Sequence, residues 1–281
     1  MNKLEALKKL RDELNVEING LENLNCDTPN VFIANHNCLK DIFYLPMSLP
    51  METVSLISSR LIYKHDKKRQ QMVEKYLYAM PIEAHGGPNY SQICLNRVQN
   101  ILKNNISLSI FPEGAYVEKN IIYRGRTGAS RIVYSSRDNG IAINLVPVAL
   151  DIDISDLDNY DLIPNDMVRI TIMEPINYEQ AYYDYVHSTT IEEKRDNLHR
   201  PIDEGMIKIA QVLGREYVND YIELRPKNNV IFPNGETVPT EQAQKDDLIL
   251  SYDSSLLERE KMLVKTLCIK SVSYTHLRAH E

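Results

Sequence analysis

Apolar and polar positions along the chain follow two different periods. Short, nearly continuous apolar runs are typical of buried strands. They occur at Val31–Ala34, Thr53–Ser58, Ser107–Phe111, Ile143–Leu150 and Met167–Met173. The longer stretches between them have the spacing of amphipathic helices. They predict helices over residues 59–79, 91–103 and 127–137. Strands that alternate with helices in this way predict an α/β fold with a mostly parallel central sheet flanked by helices.

The N-terminal residues have a helical pattern of their own. Leu4, Leu7, Leu10 and Leu14 lie on one stripe of a helix, which predicts an N-terminal amphipathic helix packed on the domain. A helix that lies on a membrane surface is the alternative. The mixed charges of its polar face favour packing on the domain.

The C-terminal part has a weaker pattern and predicts a helical extension. Arg225–Gln244 is rich in Pro, Asn, Gly and Thr, which indicates a loop, and Ser254–Cys268 predicts a helix. The last segment, SVSYTHLRAHE, resembles a translated sequencing-adapter fragment, with a disordered natural tail as the alternative. We expect a helix at residues 1–15, one domain at 16–224, the extension at 225–270 and an adapter-derived tail at 271–281, so that the natural C-terminus is missing.

Composition excludes several classes of function. The chain has 281 residues and a net charge of −7, which gives no basic field for binding nucleic acid. No apolar run approaches the roughly 18 residues of a membrane span, and the N-terminus does not resemble a signal peptide. Its four cysteines form no C-x-x-C pair, so neither a zinc site nor a dithiol site is expected. We expect free thiols in a reducing cytoplasm.

Two polar clusters mark the expected site. Residues 35–41 follow the predicted strand Val31–Ala34, and residues 112–116 follow Ser107–Phe111. Ligands of parallel α/β sheets bind where strands end and loops begin. We therefore expect the two clusters to form one site.

His36 and Asp41 are the candidate catalytic pair within these clusters. Their H-x-x-x-x-D spacing is frequent by chance, so the spacing alone has little value. The pair becomes a candidate because it directly follows an apolar strand. A carboxylate one turn into the following helix can accept a hydrogen bond from one imidazole nitrogen and leave the other as a base.

Four blocks in order resemble those of the glycerol-phosphate and lysophosphatidate acyltransferase family. Asn35–Asp41 (NHNCLKD) is similar to its N-H-x-S-x-x-D block, and Phe111–Gly114 (FPEG) matches its F-P-E-G block. Residues 125–131 (GRTGASR) resemble its R-x-G-A segment, and Val146–Ala149 (VPVA) its V-P-V-A block. The resemblance covers roughly residues 16–176, and its specificity comes from the order of the blocks.

This resemblance implies an enzyme of phospholipid biosynthesis. The enzyme would move a fatty acyl group from the thioester of acyl-CoA or acyl carrier protein to a hydroxyl of a lysophospholipid or glycerol-phosphate-type acceptor. His36 would be the general base and Asp41 would orient it, while Glu113 and Gly114 would position the acceptor. No cofactor or metal is implied. The expected partners are the acyl donor, the lipid acceptor and the inner face of the membrane, reached from the cytoplasm.

The chain departs from the family pattern at two arginine positions. Ala115 and Tyr116 follow Glu113-Gly114 where the family carries an arginine, and Ala84 stands where a P-V-D-R block would place another. Both family arginines are associated with binding the phosphate of the acceptor. Arg124, Arg126 and Arg131 are the predicted replacements, with a solvated basic loop as the alternative. A different lipid alcohol or amine therefore remains open as acceptor.

Other interpretations compete with this one. A non-catalytic lipid or acyl-carrier binding protein on the same fold would explain the missing arginines. An acyl-thioester hydrolase would use water in place of the acceptor. Cys38 could be a nucleophile, which the resemblance disfavours, and Glu113 could be a solvated loop carboxylate.

Overall fold

A mixed sheet with helices on both faces organises the chain in the computed structural model, which describes residues 3–58, 67–82, 87–116, 121–153, 167–223, 229–231 and 237–243. The strands are β1 (Asn15–Asn19), β2 (Asn30–Ala34), β3 (Thr53–Ser58), β4 (Tyr78–Ile82), β5 (Ser107–Ile110), β6 (Ile121–Tyr123), β7 (Asn144–Asp153), β8 (Met167–Ile172), β9 (Glu216–Val218), β10 (Asn229–Ile231) and β11 (Thr237–Pro239). The helices are α1 (Lys3–Asp12), α2 (Asp41–Met47), α3 (Lys67–Tyr76), α4 (Gly87–Lys103), α5 (Gly128–Asp138), α6 (Glu179–His187), α7 (Ile191–Leu213) and α8 (Thr240–Ala243).

The central sheet has the strand order β1-β8-β7-β2-β5-β3-β4. From β7 to β4, each strand is parallel to its neighbour. Strand β8 is antiparallel to β7 and parallel to β1, so these two strands run in the opposite direction. The predicted α/β fold with a mostly parallel sheet is confirmed. Two small pairs, β6 with β9 and β10 with β11, lie outside the sheet.

Strand β2 lies between two hydrophobic cores. Val31 and Ile33 belong to one core, which includes apolar residues of α4, α5 and α7. Phe32 and Ala34 point to the other face and belong to a second core with residues of α1, α2 and α3. All four side chains are fully buried. This two-sided burial explains the unbroken apolar run of β2, because both faces of a parallel sheet are covered.

The N-terminal helix packs on the domain, as predicted. Leu7 of α1 is buried, and Leu10 and Leu14 pack against the second core. None of the helices in the described ranges has both the length and the apolar character needed to cross a bilayer. The predicted helix Ser254–Cys268 and the tail 271–281 lie outside the described residues, and the predicted domain boundaries stay a prediction.

The single helix predicted over residues 59–79 is wrong at its C-terminal end. Helix α3 ends at Tyr76, and β4 begins at Tyr78 as the last strand of the sheet. The Lys, Arg and Gln residues of α3 dominated the pattern, and β4 itself contains Pro81. An edge strand tolerates proline, however, because one side of its backbone needs no ladder hydrogen bond. Strand β1 and helices α6 and α7 were not predicted.

Gly125 allows the loop between β6 and α5 to pack tightly. A Cβ atom at this position would lie 2.8 Å from Cβ of Pro112 and 2.4 Å from Cγ2 of Ile202. The backbone N–H of the next residue, Arg126, donates to the carbonyl of Pro112 at 2.8 Å. The loop is thereby fixed against the FPEG segment and helix α7.

We expect Gly125→Ala to lower the free energy of unfolding by about 1–3 kcal/mol, because the added methyl group overpacks a site with a rigid proline. The matched control is Gly128→Ala in the same segment. Its Cβ would meet Cδ1 of Ile110 at 3.8 Å, an ordinary contact, so its stability should stay within about 1 kcal/mol of wild type. Urea unfolding of both variants checks this, and equal midpoints would contradict it.

Candidate active site

The sheet topology brings the two polar clusters together. Strands β2 and β5 are parallel neighbours, with Ile33 opposite Ile110. Because both strands end at the same edge of the sheet, the segments that follow them, 35–41 and 111–116, leave side by side. Strand β7 flanks β2 on its other side and contributes Leu150 and Asp151 to the same region. The two clusters are therefore adjacent, and their function as one site stays a prediction.

Asn35 fixes the start of the first segment. Its side-chain amide donates to the carbonyl of Leu150 at 2.9 Å, and its Oδ1 accepts from the backbone N–H of Leu150 at 2.8 Å. The side chain is fully buried, so these bonds are not exchanged for water. These two hydrogen bonds extend the pairing between β2 and β7, and they determine where His36 leaves the sheet.

Asp41, the first residue of α2, organises the turn that contains His36. Its Oδ2 lies 3.0 Å from Nδ1 of His36. The same oxygen accepts the backbone N–H groups of Asn37 at 2.5 Å and Cys38 at 2.9 Å. The Asp41 side chain is fully buried, whereas that of His36 is 13% exposed. The carboxylate thus favours the tautomer with its proton on Nδ1, which leaves Nε2 as an acceptor.

Two aromatic residues hold the imidazole ring. Phe111 stacks on it with 4.4 Å between ring centroids and 25° between ring planes. Tyr116 meets it edge-on at 5.9 Å. Together with the hydrogen bond to Asp41, these contacts fix the orientation of the ring. Tyr116 occupies the position at which the resemblance would place an arginine.

Glu113 connects three segments of the site. Its Oε2 accepts the backbone N–H of His36 at 2.9 Å, and its Oε1 accepts that of Tyr123 in β6 at 2.9 Å. The residue is 1% exposed, so the alternative of a solvated loop carboxylate is wrong. Gly114 follows with φ of 80°, a left-handed conformation suited to glycine.

Burial raises the pKa of Glu113 to about 7. The two backbone N–H donors of Tyr123 and His36 oppose this shift, because they favour the ionised form. The charge of Asp41 raises the pKa further, and that of Arg215 lowers it. The carboxyl group of Glu113 is therefore about half ionised at neutral pH.

The predicted basic residues have different environments. Arg124 forms a two-pronged ion pair with Asp203 of α7, at 3.0 and 2.6 Å. Arg126 donates to the carbonyl of Ile222 at 3.1 Å, and its buried Nε has no partner among the described residues. Arg131 is exposed and donates to the hydroxyl of Thr127. Their role in binding phosphate stays a prediction, and Ala84 lies outside the described residues.

Cys38 has the properties of a structural thiol. It is fully buried, and its Sγ donates to Oδ1 of Asp41 at 3.4 Å. Burial, together with the charge of Asp41, raises the pKa of the thiol. Since the thiolate is the nucleophilic form, this environment disfavours a covalent role.

Sequence analysis missed several residues that shape the site. Asn35 and Phe111 both lie in recognised blocks, but neither had a predicted role. Within the described ranges, no group of three or more His, Cys, Asp or Glu residues is arranged to hold a metal ion.

Comparison with known proteins identifies a family and a similar solved structure. A family model described as Acyltransferase matches residues 15–151. The crystal structure of the 1-acyl-sn-glycerophosphate (LPA) acyltransferase PlsC from Thermotoga maritima is similar, with a TM-score of 0.41 and 18% sequence identity. That match covers 73% of this chain and 79% of that chain. No curated protein matches the chain. The family match runs from β1 into β7 and includes His36, Asp41 and Glu113.

We expect Cys38 to resist alkylation in the folded protein, because its thiol is buried and held protonated. Cys26, which is exposed, is the internal control. Peptide mapping after brief iodoacetamide treatment should find Cys26 labelled and Cys38 unlabelled. Cys38→Ala should retain thioester turnover; a variant that binds both substrates but has lost all turnover would support a nucleophilic role.

The buried carboxyl of Glu113 predicts a pH dependence of stability. Its folded pKa lies above its unfolded value, so the stability that it contributes is complete below about pH 4.5 and is lost as the pH rises to about 7. From these two values, the loss is on the order of 3 kcal/mol. Glu113→Gln should remove this dependence of stability on pH, although one backbone N–H then lacks an acceptor. Calorimetric melting between pH 4.5 and 8 checks this, and an unchanged slope in the variant would contradict it.

Proposed function

We propose that this chain, which belongs to the acyltransferase family, transfers a fatty acyl group from the thioester of acyl-CoA or acyl carrier protein to a hydroxyl of a lysophospholipid or glycerol-phosphate-type acceptor. The observation that carries the proposal is the His36–Asp41 pair. It presents a partly exposed imidazole whose Nδ1 is bonded to a buried carboxylate at 3.0 Å. That arrangement suits a general base.

In the proposed reaction, Nε2 of His36 removes the proton from the acceptor hydroxyl as its oxygen attacks the thioester carbonyl. Asp41 stabilises the imidazolium that forms. The tetrahedral intermediate then collapses and breaks the carbon–sulfur bond. The departing thiolate takes the proton from the imidazolium, which regenerates the neutral base. No acyl-enzyme is required, in keeping with the buried and protonated thiol of Cys38.

Glu113 and Gly114 are proposed to act on the acceptor side of the site. Glu113 holds the backbone of His36 and of Tyr123, so it sets the distance between the base and the loop that leads to Arg124 and Arg126. Gly114 keeps a tight turn beside the histidine. We propose that these residues shape the space in which the acceptor hydroxyl meets Nε2.

The basic residues support an anionic acceptor to different degrees. The guanidinium of Arg124 already binds Asp203 through two nitrogens, so a phosphate would compete with a carboxylate for it. Nε of Arg126 has no hydrogen-bond partner among the described residues, and Arg131 is exposed. We propose that Arg126 and Arg131 make the larger contribution to binding a phosphate, and Arg124 the smaller.

A non-catalytic binding protein is the second candidate, because the expected arginines are replaced at Ala84 and Tyr116. The buried carboxylate on His36 disfavours it, since a binding protein gains nothing from a positioned base. A hydrolase would use the same base with water. Release of free thiol from acyl-CoA and from acyl-acyl carrier protein, followed with and without a panel of lysophospholipids and glycerol phosphate, separates the three. Acceptor-dependent release supports the transferase, acceptor-independent release the hydrolase, and no release the binding protein.

We expect His36→Ala to reduce thioester turnover by about 10²–10⁴-fold, the usual contribution of a positioned base. Asp41→Asn should have a similar effect. The neutral amide cannot stabilise the imidazolium, and it cannot accept all of the N–H groups that bond to the Asp41 carboxylate. His187→Ala is the matched control, since this histidine is exposed on α6. Circular dichroism must show intact folding, and normal turnover of folded His36→Ala would contradict the mechanism.

A further inference from the structure

The segment 216–222, which follows α7, is hydrogen-bonded to the loop that carries Arg124 and Arg126. Strand β9 at its start pairs in parallel with β6. The backbone N–H of Arg124 donates to the carbonyl of Val218 at 3.0 Å, and the carbonyl of Ile222 accepts Nη2 of Arg126 at 3.1 Å. The segment lies beyond the residues that the family model matches, so the family match does not give its role.

Tyr221 is the side chain of this segment that contacts both arginines and α7. Its ring centroid is 5.2 Å from the guanidinium of Arg126 and 5.9 Å from that of Arg124. Its hydroxyl lies 2.7 Å from Nε2 of His199 on α7, a residue that is 3% exposed. Burial lowers the pKa of His199, so its neutral ring can accept the hydroxyl proton. The hydroxyl thus fixes the tyrosine against α7, and the ring attracts the two cations through its negative face.

The two guanidinium groups differ in how their charge is balanced. That of Arg124 is neutralised by the carboxylate of Asp203 through two hydrogen bonds. Arg126 is half-buried and forms no ion pair with any of the described residues; its contacts there are the carbonyl of Ile222 and the ring of Tyr221. A partly buried cation without a counter-ion favours the binding of an anion. Of the two arginines, Arg126 therefore has the free charge.

The backbone of Arg126 is fixed beside the candidate active site. Its N–H donates to the carbonyl of Pro112 at 2.8 Å. The residue before this proline, Phe111, stacks on the imidazole of His36. Because the backbone is held in this way, the orientation of the Arg126 guanidinium depends on the contacts of its side chain, and those come from Tyr221 and Ile222.

We propose that Tyr221 is a positioning residue of the acceptor site, whose ring holds the guanidinium of Arg126 in the orientation that binds a phosphate group of the acceptor. This role rests on the proposed function, in which Arg126 binds that phosphate. Without the ring, the guanidinium would keep one hydrogen bond to a peptide carbonyl and would sample more orientations. Ordering it again on binding would cost affinity for the acceptor, whereas the chemistry at His36 would be unaffected.

The first experiment measures kcat and both KM values in wild type, Tyr221→Leu and Tyr221→Phe, with glycerol phosphate or the lysophospholipid that supports thiol release as acceptor. Tyr221→Leu should raise the KM of the acceptor by about 3–10-fold, the size of a cation–π contact. Its kcat and its KM for the acyl donor should stay within about twofold of wild type. Tyr221→Phe keeps the ring and should recover most of the affinity. Equal increases in both KM values, or a loss in kcat alone, would overturn the proposal.

A double-mutant cycle tests whether Tyr221 acts through Arg126. Arg126→Gln should itself raise the KM of the acceptor by about 10–100-fold, because it removes a charged hydrogen-bond donor. In that background, Tyr221→Leu should have no further effect. The matched control is Tyr183→Leu on α6, a tyrosine that is 57% exposed, and it should follow wild type. A 3–10-fold effect of Tyr221→Leu that persists without Arg126 would refute the positioning role.

The last experiment needs no acyl donor. Melting temperatures are measured while inorganic phosphate or glycerol phosphate replaces chloride at constant ionic strength. Phosphate also stabilises folded proteins in general, so Arg126→Gln provides the baseline. Wild type should be stabilised beyond that baseline, and Tyr221→Leu should need about 3–10-fold more of either anion for the same shift. Equal shifts in wild type and Arg126→Gln would overturn the anion site. Anion binding without turnover in wild type would refute only the proposed function.

Discussion

The backbone N–H groups at the end of β2 are buried and must be paired, and two carboxylates pair them. Asp41 accepts the N–H groups of Asn37 and Cys38, and Glu113 accepts that of His36. A buried N–H without an acceptor costs about 1–3 kcal/mol, so the turn that carries the histidine depends on these two side chains. The same bonds that stabilise the turn also set the position and tautomer of the imidazole. Folding and chemistry therefore depend on one set of contacts.

The position of β2 in the sheet explains why this requirement arises at His36. Strand β2 is covered on both faces, and β5 and β7 lie beside it. The loop that leaves it is consequently surrounded by protein rather than water. Low exposure strengthens each hydrogen bond to a carboxylate, but it also makes the charge of that carboxylate costly. Glu113 shows the result, with a pKa raised to about 7.

The arginines of this chain also have structural tasks. Arg124 joins the loop after β6 to α7 through Asp203, and the ring of Tyr221 lies under Arg126, with 5.2 Å between its guanidinium and the ring centroid. Beside His36, the aromatic edge of Tyr116 stands where a guanidinium would be expected from the resemblance. An aromatic ring offers an apolar surface and no charge, so it favours contact with carbon-rich groups over a phosphate. Under the proposed function, the side chains available to bind the acceptor therefore differ from those that the family blocks imply.

The sequence by itself determined the class of fold and the centre of the site. Apolar runs located β2, β3, β5 and β7 because two-sided burial leaves a continuous local signal. Strand β8 was also located, although its exposed residues Met167 and Arg169 alternate with buried ones. His36, Asp41 and Glu113 were identified because they lie in short blocks directly after strands. Only the tertiary structure decided which distant groups complete the site. The backbone of Leu150 pairs with the side chain of Asn35 across the sheet, and Glu113 accepts the backbone N–H of Tyr123. Strands β1 and β4, which form the two edges of the sheet, were not predicted for a related reason. A short edge strand depends on pairing with its neighbour in the sheet, and that pairing leaves little signal in the local sequence. Partners that are far apart along the chain leave no local pattern, and only folding brings their charges and hydrogen bonds together.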